Sequence, residues 1–155
     1  MMRGEEPTSF CYEETELAVA MQHKKPTKMI NVKGDGACLP RAISLALYGH
    51  EGHHQKMRDL NVEFQEKNAP KPLTTTFKRR MTRMRKRETY METEEVEAFS
   101  QLLQTPIYSC VKQQGTNKIF AWQRCPHETA PDQVVQSRSI YIFNADLHFQ
   151  LVIQP

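Results

Sequence analysis

Two residues in this chain have the type and setting for nucleophilic chemistry. Cys38 follows a Gly-Asp-Gly turn in the stretch KGDGACLPRAIS (residues 33–44), and His148 opens a late apolar stretch, HFQLVI. A thiol that attacks a carbonyl must reach its thiolate form, and the positive end of a helix lowers a cysteine pKa. It also needs a basic partner that takes and returns a proton, usually histidine. The oxyanion of the tetrahedral intermediate needs preorganised N–H donors. The turn at Gly34, Asp35, Gly36 and Ala37 supplies amides beside Cys38, because glycine adopts backbone angles that other residues resist. Asp35 can brace that loop through its carboxylate. A buried structural cysteine after a plain glycine turn fits the same spacing, so the case rests on pairing Cys38 with His148.

The elements that must position this pair are legible in part. From Ala37 to about Tyr48, Leu39, Ala42, Ile43 and Ala46 follow the helical i, i+3, i+4, i+7 pattern, with Gly49 as a stop. Cys38 therefore sits at a helix start. Pro40 falls in the first turn, where its missing N–H has no intrahelical acceptor to lose. On the HFQLVI strand, alternation puts His148, Gln150 and Val152 on one face and Phe149, Leu151 and Ile153 on the other.

Around these, the pattern predicts a short helix over about Glu13–Gln22 and an extended segment at Lys28–Val32. A second helix is expected over about His54–Lys67. An exposed arm or irregular helix is expected over 73–91, and a helix capped by Thr93 with Val96, Phe99 and Leu103 buried. After Pro106 the period changes, and Ile107–Lys112, Lys118–Gln123, Ser139–Phe143 and His148–Ile153 read as strands. Helices first and strands last make one α+β domain over residues 1–155, with a core at about 28–153 and a helical extension at 1–27.

Composition bounds the function. The chain has 155 residues, 39% hydrophobic and 25% charged, the profile of a globular domain. No apolar stretch approaches the roughly 20 residues of a membrane span, and the N-terminus lacks a signal-peptide core. Intracellular residence is the expectation. Four scattered cysteines without a CxxC pair argue against a disulfide framework or zinc site. His50, His53 and His54 cluster with no cysteine near them, so no metal is expected. The net charge is +3, but residues 78–87, KRRMTRMRKR, hold seven cations, and ETEEVE at 92–97 holds four carboxylates. A basic run can grip phosphates, yet no aromatic inside it offers stacking. A solvated or protein-contacting face is the favoured reading, and nucleic-acid binding the alternative.

GDGACLPRAIS resembles the cysteine box of the ovarian tumour (OTU) family of cysteine proteases. EEVEAFSQLLQTPIYSC (94–110) is similar to the family's helix-to-strand segment, KIFAW to its Trp-bearing strand, and SIYIFNADLHFQLV to its closing strands with the histidine. The resemblance implies an OTU-like, papain-type α+β fold, with helices around a small central sheet formed mostly by the C-terminal third. It implies a cofactor-free deubiquitinase, acting on the isopeptide bond after the Gly-Gly tail of ubiquitin or a ubiquitin-like modifier. Cys38 is then the nucleophile, His148 the base and later the acid, and Asp35 the box aspartate. The amides of Asp35 to Cys38 become the oxyanion donors, and Trp122 a candidate for the substrate groove.

Two departures stand out. Gln150 occupies a position where many members carry an acidic residue or Asn, so Gln150, Asn144 and Asp146 are rival orienters of His148. Pro40 replaces a bulkier residue beside the nucleophile. The implied chain is a monomer in the cytoplasm (a host's, if the source is viral) or nucleus, with ubiquitin conjugates as partners. The alternative is an OTU-fold module that binds ubiquitin with weakened chemistry.

Overall fold

The computed structural model describes residues 11–13, 28–112, 120–125, 138–145 and 147–154. In chain order these form β1 (Cys11–Glu13), β2 (Lys28–Ile30), α1 (Cys38–Tyr48), α2 (His54–Asn68), α3 (Thr75–Met84), α4 (Thr93–Leu103), β3 (Ile107–Lys112), β4 (Phe120–Cys125), β5 (Arg138–Ala145) and β6 (His148–Gln154). The strands make one mixed sheet in the order β2-β6-β5-β3-β4, and β1 pairs with the first residues of β5. Among the described strands only β3 and β5 run parallel.

Alternation gives the sheet two different faces. Ile107, Ile140, Ile142, Phe149 and Leu151 point into the main core with Leu39, Ile43, Met57, Met81 and Phe99 of the helices. Tyr108, Cys110, Tyr141, Phe143 and Val152 form a smaller cluster on the opposite face. Helix α1 is buried from Cys38 through Ala46, as expected of a helix apolar on most sides. Gly49 ends it in the left-handed conformation, φ 80°, donating its N–H to the Leu45 carbonyl.

Three expectations change. Glu13 lies in strand β1 rather than opening a helix, and residues 14–27 lie outside the described residues. The 73–91 arm contains a regular helix, α3, whose N-cap Thr74 accepts from the Phe77 amide at 3.1 Å. What holds it down is Arg80, which pairs with Glu95 at 2.6 Å and with Glu94 at 3.2 Å. The basic run thus splits into anchors, Arg80 and Arg85 (paired with Glu66), and exposed cations. Glu92, not Thr93, caps α4, and its amide donates to the Glu95 carboxylate at 2.8 Å.

Candidate functional site

Strand register assembles the site. β2 pairs antiparallel with β6, Met29 opposite Val152 and Ile30 opposite Leu151, so the next residue, Asn31, arrives beside Gln150. The β5–β6 hairpin pairs Ala145 with His148 and sets that histidine at the strand's start. Helix α1 packs across β6 and brings Cys38 to the same place: the Phe149 amide donates to Cys38 Sγ at 3.4 Å.

His148 Nε2 lies 2.8 Å from Asn31 Oδ1. That oxygen can only accept, so Nε2 carries the hydrogen and Nδ1 is left with its lone pair. Gln150 Nε2 donates to the same oxygen at 3.1 Å. The Nδ1–Cε1 edge of the ring faces the cysteine loop; a Cβ built on Gly34 would stand 3.9 Å from Cε1 and 4.0 Å from Nδ1. Among the described residues no hydrogen bond joins Cys38 Sγ to the ring.

The loop before Cys38 is braced from inside. Arg41 grips the Asp35 carboxylate with two bonds, Nε to Oδ1 at 3.1 Å and Nη2 to Oδ2 at 3.0 Å. Asp35 Oδ1 also accepts the Ala37 amide at 3.0 Å. Burial opposes ionisation of Asp35, but the Arg41 and Ala37 bonds outweigh it and hold the carboxyl below its ordinary range. The Asp35 amide bonds to the Lys33 carbonyl and the Cys38 amide to the Asp35 carbonyl at 3.2 Å. Of the four amides expected to bind an oxyanion, Gly36 N–H is the one with no acceptor among the described residues.

The thiol does not follow the expectation from its helix start. Cys38 is 1% exposed, and burial pushes its pKa up. The Phe149 and Leu39 amides work against that rise, and the Asp35 charge adds to it. Desolvation of a buried anion outweighs the helix-end field here. Cys110, buried in the sheet with no such amides, is pushed up to about 12.

The glycines also have a different reason from the one expected. Among the described glycines only Gly49 has a positive φ. Gly36 is needed because the chain at Glu88 crosses directly over it: an added Cβ would stand 1.6 Å from the Glu88 carbonyl oxygen.

Comparison with known proteins finds similarity to OTU domain proteins. A family model described as "Vertnin, OTU domain" matches residues 29–63, which carry Asn31, Asp35 and Cys38. OTU domain-containing protein 5-A of Danio rerio is 26% identical over 99% of this chain, which spans 27% of that relative's length. The solved OTU domain of OTUD1 superposes with a TM-score of 0.66 at 18% identity, covering 79% of this chain and 83% of that one. An OTU deubiquitinase from Wolbachia pipientis wMel, solved bound to ubiquitin, gives 0.58 at 14% identity over 82% of this chain and 95% of its own.

The chain has the OTU fold.

Within this OTU fold the structure brings Cys38, His148 and Asp35 into one corner, as the sequence suggests, and separates the other candidates. Gln150 reaches His148 only through Asn31. Asn144 accepts from the Tyr90 hydroxyl at 3.2 Å, and Asp146 lies outside the described residues. Trp122 packs edge-on against Tyr141 in the smaller cluster. It stands on β4, three strand spacings from β6, about 14 Å. His50, His53 and Tyr48 make ring contacts with one another, and no metal-holding group of His, Cys, Asp and Glu exists among the described residues. No described helix is long and apolar enough to cross a membrane.

Asn31 is the residue sequence reasoning missed. Its signal was an amide side chain at the end of the short extended segment KMIN, but only the β2–β6 pairing gives that amide a meaning.

Proposed function

We propose that this OTU domain is a cysteine hydrolase that cleaves the isopeptide bond after the C-terminal Gly-Gly of ubiquitin or a ubiquitin-like modifier. One observation carries the reading: the Asn31 contact fixes the histidine tautomer with Nδ1 free, on the ring edge that faces the cysteine loop. The Wolbachia OTU deubiquitinase bound to ubiquitin, which shares the fold, supports the substrate class.

His148 Nδ1 takes the Cys38 proton as Sγ attacks the carbonyl carbon of the terminal glycine. The resulting oxyanion is held by loop amides, with Gly36 N–H available. Collapse breaks the C–N bond, and the imidazolium returns its proton to the departing lysine amine, leaving a thioester. Water, deprotonated by the same nitrogen, attacks the thioester and releases the carboxylate and the thiol. Asn31 keeps the ring in one tautomer but supplies no countercharge. The base must therefore drive ionisation of a thiol whose pKa burial raises.

A specific observation also favours a second reading, a ubiquitin-binding module with weakened chemistry. Cys38 is 1% exposed, its sulfur is occupied by the Phe149 amide, and burial raises its pKa. A ubiquitin carrying a C-terminal electrophile separates the two. The hydrolase is expected to be labelled at Cys38 and not in Cys38→Ala; a folded protein that binds ubiquitin but stays unlabelled is the module.

A further inference from the structure

Arg58 is the largest side chain with no exposure, 0%, and the proposed chemistry leaves it unused. Among the described residues it makes no salt bridge. Its guanidinium instead holds three backbone carbonyls: Met84 O at 2.8 Å, Thr89 O at 2.7 Å and Gly36 O at 3.1 Å. A buried cation held by carbonyls, with its Nε left without a partner, is a costly arrangement for packing purposes. What it accomplishes is to tie α2 to two backbone segments that touch each other, the cysteine loop and the chain crossing it at Glu88.

The contact with Gly36 has a consequence at the next amide. The Gly36 carbonyl and the Ala37 N–H belong to one rigid peptide plane and point in opposite directions. Arg58 holds the carbonyl edge from the interior, while Asp35 Oδ1 holds the N–H edge at 3.0 Å, itself gripped by Arg41. The Gly36–Ala37 peptide, one removed from Cys38, is thus clamped along both edges. If the plane turned over, the Gly36 oxygen would meet the Asp35 carboxylate, and Gly36, whose own N–H is the loop donor without an acceptor among the described residues, would lose its setting.

We infer that Arg58 is a positioning residue: by holding the Gly36 carbonyl it fixes Gly36 in the loop and keeps the Gly36 N–H where it can donate to an oxyanion. This rests on the hydrolase reading above. It predicts a selective defect, because acyl transfer needs the oxyanion site whereas alkylation of the thiol by a small neutral agent does not.

The test compares wild type with Arg58→Lys, which keeps the charge but loses the planar fork. Turnover is read on ubiquitin bearing a C-terminal fluorogenic amide, and Cys38 alkylation with iodoacetamide at one fixed pH. The expected result is a kcat lowered roughly a hundredfold, the scale of one lost oxyanion interaction, with KM and the alkylation rate each within about twofold. An unchanged kcat overturns the inference. So does a parallel fall of kcat and alkylation, which would place Arg58 in the general fold or at the nucleophile.

Should Arg58→Lys fail to fold, the wild-type protein with ubiquitin aldehyde decides. The structure of the hemithioacetal must show Gly36 O still on Arg58, and a turned peptide overturns the inference. A wild type that alkylates yet turns over no ubiquitin substrate and forms no aldehyde adduct defeats the hydrolase reading itself, and this one falls with it.

Discussion

At the scale of single residues, the site turns on a thiol whose pKa burial raises and a histidine whose tautomer an amide fixes. The raised Cys38 pKa makes a directional prediction. Because the folded thiol is raised, its thiolate fraction at neutral pH is smaller than that of a free cysteine. The rate of Cys38 alkylation should keep rising with pH beyond the ordinary thiol range, measured as a pH–rate profile in the absence of substrate. A plateau already reached below neutral pH would instead mean a resting thiolate–imidazolium pair. Asn31→Ala removes the acceptor that holds His148 Nε2. It should lower kcat/KM on the order of a hundredfold, the low end of what a positioned acid–base group contributes. Gln150→Ala, one bond further out, should cost less in the same assay.

At the scale of elements, the loop before α1 is shaped by what passes over and under it. Gly36→Ala forces a Cβ into the Glu88 carbonyl, and backbone cannot yield as a flexible side chain can. It should destabilise the protein by about 3 kcal/mol, as overpacking does. Gly34→Ala meets only ordinary contacts at 3.9–4.0 Å from the His148 ring and should leave the unfolding midpoint nearly unchanged. Urea unfolding of the two variants side by side checks the contrast. Helix α1, by comparison, was readable from sequence: its apolar spacing, its proline in the first turn and its terminal glycine are local features. Helix α3 was not, because its basic composition hides its anchor. Arg80 is held by carboxylates that come from α4, and the buried Glu95 is recognisable as its partner only once the two helices lie side by side.

At the scale of the whole molecule, one strand serves both the core and the chemistry. β6 presents Phe149 and Leu151 to the main core and His148 and Gln150 toward Asn31, while its Phe149 amide meets the thiol. Phe149 is 1% exposed and stacks on Tyr90 at 5.7 Å. Phe149→Ala should cost about 4 kcal/mol. In a chain of this size that lowers Tm by roughly 10 °C, and turnover should fall at temperatures where the protein is still folded. Thermal unfolding and activity measured on the same sample test this coupling.

Alone, the sequence determined that Cys38 sits at a helix start behind a braced loop, that His148 opens the last strand, and that helices precede most of the sheet. Those are matters of local spacing. It could not determine the partner of the histidine, since Gln150, Asn144 and Asp146 are near in sequence while Asn31 is distant and arrives only through β2–β6 register. Nor could it give the state of the thiol. A helix start argues for a low pKa, but the degree of burial belongs to the packed molecule, and desolvation outweighs the helix field. The reason for Gly36 was hidden likewise, because the chain that excludes a side chain there, at Glu88, meets it only after folding.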